Sequence, residues 1–450
     1  MLNTLILLGA VSALTRVRAA SPLTMRARAA ELGLGLQWTP PPGWIQSWEL
    51  RDSLQIYACN YSTWLDADFA AQFSLVALDW SNGKELWANE GPMDAEQLLV
   101  DQAARLLARR PNTTVFIYRN TVKALSWFRS VREKLADPAY SGFFLHYDAG
   151  VVTPGSPRCD TAHSPPICSS LYHDQMQTPQ YAVIDDGQNG TCSRPCDSGG
   201  VPTGEYLWDL RNKSARAFVL EDLLGPTCLG NTNISGLYLD DYWVDAQEPI
   251  NPDGNQPPWG YCSHARTGGP SEIEFRCIDD MGLTQEEVGD ITAGWKESFT
   301  ATYNAMDDAG ALAYASFNFQ SVPDRSSMAG VLAAACNAGN SSAQYTSPLT
   351  VLFTTPPACC PANRNTTLLQ FDEDLAYFML VRGPWAWLGY SWTFCAAHYT
   401  MPPALFAEYG IPVNTCYASA PGIYHRDFTK GSASFDANTY TGWVTTHSAG

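Results

Sequence analysis

The chain has 450 residues and a formal net charge of -18, with 45% hydrophobic and only 16% charged residues. So much apolar and aromatic content, including 15 Trp and 21 Tyr, excludes a disordered chain. The acidic balance repels phosphate backbones and anionic lipid, which excludes nucleic acid or a membrane surface as a partner for the whole molecule.

A short apolar run, Leu2 to Leu14, ends in the small residues Ala10, Ser12 and Ala13 and reads as a signal peptide over residues 1–20. No later stretch has the roughly 18 unbroken apolar residues that a membrane span needs. Asn60, Asn112, Asn189, Asn212, Asn233, Asn340 and Asn365 each begin an Asn-x-Ser/Thr sequon. The 13 cysteines, many in loop-like surroundings, suit disulfides in an oxidising compartment better than zinc, since no Cys-x-x-Cys occurs. A secreted, extracellular glycoprotein with N-linked glycans and no cofactor is expected.

Residues 21–72 are a Trp-rich N-terminal extension. From residue 73 strand-like and helical runs alternate, which predicts βα units around a parallel sheet. Expected strands are Phe73–Trp80, Thr113–Tyr118, Gly142–Tyr147, Glu205–Leu210, Gly236–Leu239, Ala311–Phe317, Leu349–Phe353 and Trp385–Gly389. The intervening helices are Ala95–Arg109, Val122–Leu135, Ser214–Leu224, Gln285–Met306, Ser327–Ala335 and Leu368–Val381. Eight strands predict a (β/α)8 TIM-type barrel over residues 73–400. A C-terminal extension, 401–450, carries a β-hairpin, with Ile423–Phe428 and Ser432–Phe435 flanking a Thr-Lys-Gly turn. Two insertions, 149–203 and 242–282, contain Cys159, Cys168, Cys192, Cys196, Cys262 and Cys277, and are expected to be ordered lids over the carboxyl ends of the strands.

A parallel barrel gathers the residues at those carboxyl ends around one cavity. The candidates are Asp79 and Trp80, Tyr118 and Arg119, His146 and Asp148, Trp208 and Asp209, and Asp240 and Asp241. Alternation puts Tyr238 and Asp240 on one side of their strand, while Asp241 faces elsewhere and is as well suited to capping a turn. Trp80 and Trp208, beside strand-end aspartates, and Trp243, Trp385, Trp387 and Trp392 offer flat faces to sugar rings, although core packing is the usual fate of such residues.

The segment Gly236-Leu-Tyr-Leu-Asp240-Asp-Tyr-Trp243 resembles the fourth-strand motif of the α-amylase-type glycoside hydrolases, in which a glycine precedes a strand-closing aspartate by four positions. The stretches Arg382-Gly-Pro-Trp-Ala-Trp-Leu-Gly-Tyr390, Tyr409-Gly-Ile-Pro412 and Gly422-Ile-Tyr-His-Arg-Asp-Phe-Thr-Lys-Gly431 resemble the ending of uncharacterised glycoside hydrolase-like barrel proteins. The resemblance implies a carbohydrate substrate, with Asp240 as nucleophile or charge stabiliser. The strand ending in Ser316-Phe-Asn318-Phe-Gln320 departs from the pattern, because it has no carboxylate where those hydrolases keep the general acid. Glycoside hydrolysis ordinarily uses two carboxyl groups. Asp209 is the first candidate for the second, with Asp148 and Asp241 behind it. Arg119 is expected to pair with Asp240, and Asn318 to contact substrate.

Three other readings stand beside this one, the last of them a glycosylated cell-surface structural protein with neither binding nor turnover. His146, Asp148, Asp240 and Asp241 have the ligand types of a divalent-metal phosphoesterase, and the missing carboxylate suits a barrel that binds saccharide without cutting it. The absence of Gly-x-Ser-x-Gly and His-Glu-x-x-His argues against serine hydrolase and zinc protease chemistry.

Overall fold

The computed structural model describes residues 47–60, 63–83, 93–146, 148, 159–160, 167–168, 170–171, 205–240, 283–315, 320–321, 329–330, 332–333, 335–336, 349–354, 371–390 and 401–447. The N-terminal apolar run, most of both insertions, Asp241, Trp243, Asn318 and Trp392 lie outside them.

In chain order the first strands and helices are β1 (Leu54–Ala58), α1 (Ala67–Ala70), β2 (Leu75–Leu78), α2 (Ala95–Arg109), β3 (Thr114–Asn120), β4 (Lys123–Leu125) and α3 (Arg129–Ala136). The middle of the chain contributes β5 (Cys159–Asp160), β6 (Ile167–Cys168), β7 (Glu205–Leu207), α4 (Lys213–Leu224), β8 (Gly236–Asp240), α5 (Gln285–Asp308), β9 (Leu312–Ala315) and β10 (Gln320–Ser321). Then follow β11 (Leu349–Thr354), α6 (Phe371–Val381), β12 (Ala386–Tyr390), β13 (Tyr417–Ala420), β14 (Ile423–Phe428), β15 (Gly431–Asp436) and β16 (Thr441–Thr446).

Eight strands form one sheet in the order β10-β11-β12-β1-β2-β3-β8-β9, and every pairing in it is parallel. The central strands β1, β2 and β3 are buried along nearly their whole length, as expected of strands covered on both faces. The order is cyclic in the chain: β12, last of the eight, lies beside β1, the first.

Two observations show that the sheet is strongly curled. The rings of Tyr57 on β1 and Tyr238 on β8 lie 4.5 Å apart although β2 and β3 stand between their strands. Three strand spacings in a flat sheet amount to about 14 Å. The two edge strands, β9 and β10, are separated by only residues 316–319. That length of chain reaches at most about 18 Å, whereas the edges of a flat eight-stranded sheet stand about 34 Å apart. No ladder joins β9 to β10 among the described residues.

Three expectations are corrected. The segment ahead of residue 73 supplies β1, a central strand of the sheet. Of the strand expected over 142–147, residues 142–146 are not in the sheet: a 3-10 helix, Pro138–Phe143, occupies the start of the segment, and among the described residues Phe144 and His146 make isolated antiparallel bridges to Trp208 and Leu171. Residues 205–210 do not join the sheet either, because β7 pairs antiparallel with β4 in a separate two-stranded ribbon. Phe144 and Trp208 stack there at 5.2 Å, and Phe218 of α4 lies 5.9 Å from Trp208, so apolar burial between ribbon and helices decides the placement.

The expected hairpin is present within a four-stranded antiparallel sheet, β13-β14-β15-β16. This second sheet packs on α6, which is buried from Asp374 to Val381, as a helix covered on several sides must be. The approach is close at Gly442, where an added Cβ would lie 2.7 Å from the Glu373 Cα and 2.8 Å from the Ala376 Cβ. Gly442→Ala is expected to cost about 1–3 kcal/mol, read as a lower urea midpoint, since backbone cannot yield as a side-chain tip can.

Arg426 of β14 crosses to the same helix and donates through Nη1 to the carbonyls of Met379 (3.1 Å), Leu380 (3.3 Å) and Arg382 (2.6 Å). Carbonyls in the last turn of a helix have no partner within it, and a cation there also complements the helix dipole. Arg426→Met is expected to destabilise the protein by about 3–5 kcal/mol, because it leaves those acceptors buried and unsatisfied. Thermal melts of the variant check this, and an unchanged melting temperature would mean that other donors cap α6. A disulfide, Cys336–Cys416, further ties the second sheet to the body of the protein.

Candidate active site

Pairing register and alternation together sort the side chains at the carboxyl end of the sheet. Phe116 is level with Gly236 and Ala77, and Tyr57 with Ala77, so Tyr57, Asp79, Tyr118, Asn120, Tyr238 and Asp240 share the concave face. Aromatic rings fill it first: Tyr118 lies 5.7 Å from Tyr238, which in turn meets Tyr57.

Above these rings the polar groups are ordered in a short relay. The backbone N–H groups of Val122 and Lys123 donate to Asn120 Oδ1 at 2.9 and 2.6 Å, which orients the Asn120 amide. Asn120 Nδ2 then donates to the Tyr118 hydroxyl at 2.8 Å. The Tyr118 hydroxyl donates to Asp240 Oδ2 at 2.9 Å. Asp240 is partly buried, and its carbonyl accepts from the Thr121 N–H at 2.8 Å, so backbone and side chain are both held. One carboxylate oxygen is thereby fixed in direction at the rim of the curled sheet, where reacting groups in parallel α/β folds are usually placed.

Asp79 is buried, and its Oδ1 accepts from the backbone N–H and the hydroxyl of Ser81. The following residue, Trp80, is partly exposed, its ring 6.4 Å from Tyr118 and 5.6 Å from Trp127. The rim therefore combines a positioned carboxylate, a second acidic residue on the same face and an aromatic wall.

Other expected site residues lie elsewhere. Arg119 does not meet Asp240: alternation turns it to the opposite face of β3, where its Nε lies 3.5 Å from Asp222 Oδ2 on α4. Trp208 is buried against Phe144 and Phe218. Asp209 follows the β4–β7 ribbon and is clamped by Arg211, whose Nη2 and Nε donate to Oδ2 at 2.8 Å and Oδ1 at 2.9 Å. Trp385 and Trp387 are buried. His146 Nδ1 lies 3.0 Å from Ser170 Oγ and its Nε2 lies 3.0 Å from the Ser141 carbonyl, while Asp148 is exposed. Among the described residues no group of three or more His, Cys, Asp and Glu side chains could hold a metal ion.

Tyr118 and Asn120 are the members of this relay that sequence reasoning undervalued. Their signal was present in alternation, but the expected strand ended at Tyr118 and so left Asn120 outside it.

No family model matches the sequence, and no curated protein matches it. Among solved structures the chain is similar to the Flavobacterium johnsoniae GH31 dextranase FjDex31A complexed with glucose, at 10% identity and a TM-score of 0.34, over 82% of this chain and 38% of that one. It is also similar to the Bacillus licheniformis trehalose-6-phosphate hydrolase, at 10% identity and a TM-score of 0.27, over 68% of this chain and 49% of that one. The chain thus spans less than half the length of either. A sucrose 6F-phosphate phosphorylase from Thermoanaerobacter thermosaccharolyticum matches at 11% identity and a TM-score of 0.33, over 90% of this chain and 97% of that one. Similarity at this level assigns no family, and the structures it reaches include glycoside hydrolases.

Proposed function

We propose that the rim formed by β2, β3 and β8 binds a saccharide and cleaves an O-glycosidic bond, with Asp240 as nucleophile or charge stabiliser. The observation that carries this reading is the hydrogen bond from Tyr118 to Asp240, set on the concave face of a curled parallel sheet beside Trp80. A carboxylate held in one orientation next to a flat aromatic face suits a sugar ring, which presents apolar C–H groups on its faces and hydroxyls around its edge. Asp79 and Trp80 are assigned to substrate contact, and the acid partner is sought in Asp148, which is exposed, and in Asp241, which follows Asp240 in the sequence. We further propose that the sheet closes into a (β/α)8-type barrel and that the protein is secreted with N-linked glycans. The apolar N-terminal run, the sequons and the Cys336–Cys416 disulfide support the latter.

The clamp of Arg211 on Asp209 favours a second reading, a barrel that binds saccharide without cutting it, because a guanidinium on both oxygens disfavours the protonated form that an acid needs. A panel of oligosaccharides and aryl glycosides, assayed for turnover and for binding, separates the two. Turnover supports hydrolysis; saturable binding without turnover supports the second reading. Neither on any glycan would overturn both.

A further inference from the structure

Three sequons lie wholly among the described residues: Asn112–Thr114, Asn212–Ser214 and Asn233–Ser235. The fold treats the first two in opposite ways. Asn112 is exposed in the turn between α2 and β3, and that turn is anchored around it by the Thr113 N–H on the Arg110 carbonyl (3.1 Å) and the Thr114 N–H on the Ser74 carbonyl (2.7 Å). Its side chain is left to solvent.

Asn212 is half-buried and caps α4, its Oδ1 accepting from the N–H groups of Ser214 at 2.9 Å and Ala215 at 3.4 Å. Its Nδ2 donates to the Gly142 carbonyl at 2.7 Å, in the 3-10 helix Pro138–Phe143. Both ends of this amide are in use.

An N-linked glycan is bulky and hydrophilic, so its asparagine must be able to carry it into water. In the transfer, Nδ2 bonds to the anomeric carbon of an oligosaccharide held on a lipid diphosphate. The bond from that carbon to the diphosphate oxygen breaks, and one amide proton goes to solvent. Because Thr114 enters β3 and Ser214 enters α4, the acceptor tripeptides are open to a transferase only before folding, and the fold then decides which modified chains are tolerated. A sugar on Asn112 meets water. A sugar on Asn212 replaces a hydrogen on a nitrogen seated against the Gly142 carbonyl, and moving the amide aside to make room uncaps α4.

We infer, on the reading that the protein is secreted, that Asn112 carries an N-linked glycan and that Asn212, with the same sequon, stays bare as the cap of α4. Asn112 precedes the amino end of β3 and Asn120 closes its carboxyl end, about 20 Å along the strand. The glycan therefore leaves the end of the sheet opposite the Asp240 rim.

The test is to express the full chain in a secreting eukaryotic cell and to map the folded protein from the medium by mass spectrometry, after enzymatic deglycosylation in heavy-oxygen water. That treatment marks each asparagine that bore a glycan as heavy aspartate. Asn112 is expected to be marked in most molecules and Asn212 in almost none. Asn112→Gln removes one step of gel mobility and leaves the melting temperature of the deglycosylated protein unchanged. Asn212→Gln keeps the mobility of wild type but lowers the melting temperature by about 1–3 °C, through loss of the cap. A marked Asn212 in the folded protein, or an unmarked Asn112 beside marked sequons elsewhere, overturns the inference and leaves the secretion reading standing. No mark on any sequon, or no protein in the medium, sinks both.

Discussion

Asp240→Asn is expected to lower kcat/KM for glycoside cleavage by about 10³-fold or more, while the dissociation constant for the same saccharide stays within a few-fold of wild type. An amide of nearly the same shape still occupies the space and still accepts from Tyr118, so the rim keeps its form. What it cannot supply is the charge that attacks or faces an oxocarbenium-like centre. Tyr118→Phe is the companion variant. It removes the 2.9 Å donor and leaves Asp240 charged but less well aimed, for which a loss of about 10- to 100-fold in kcat with little change in KM is expected. If Asp240→Asn retains most of the turnover measured for wild type, Asp240 is not the reacting group. If Tyr118→Phe raises KM and leaves kcat alone, the tyrosine serves binding only.

The second large effect concerns stability. Asp374 is buried in the first turn of α6, and burial, with the charge of Glu373 adding to it, raises its carboxyl to about 8. Its ordinary value in an unfolded chain is near 4. Between these values the folded protein binds a proton that the unfolded chain has released. The stabilising contribution is therefore complete below about pH 4 and declines as pH rises toward 8. Asp374→Asn, which cannot ionise, is expected to match wild type near pH 4 and to exceed it by up to about 4 kcal/mol at pH 7, in denaturant titrations at several pH values. Equal stability of the two proteins at every pH would show that the carboxylate is solvated or paired when ionised.

Several features of the fold were legible in the residues, for a common reason. Continuous apolar runs such as Leu75–Leu78 and Val115–Tyr118 have few alternatives to a strand covered on both faces, and the amphipathic spacing of Ala95–Arg109 marks its helix to the residue. Leu54–Ala58 was missed because it is short and Gln55 interrupts its apolar pattern. Inside the fold, the Gln55 side chain donates to the Trp387 carbonyl at 3.1 Å, a partner 332 residues away that no local pattern reveals. Residues 205–210 were recognised as extended but assigned to the wrong sheet, since strand pairing is a long-range property. The site was legible to the same degree. Alternation placed Tyr238 with Asp240, whereas the relay through Asn120 and Tyr118 depends on the register between β3 and β8. Arg119 was assigned to the wrong face for a related reason: one residue of difference along a strand exchanges the concave side for the convex one.

The packing of α6 on the C-terminal sheet also bears on how the protein is made. The apolar surface from Leu375 to Val381 has no complete cover until β15 and β16, ending at Thr446, have been synthesised. At the usual rate of roughly 5–20 residues per second, that delay lasts several seconds. During it the nascent chain carries an apolar helix whose cover is still to be made, which is the interval in which exposed apolar surface favours wrong association.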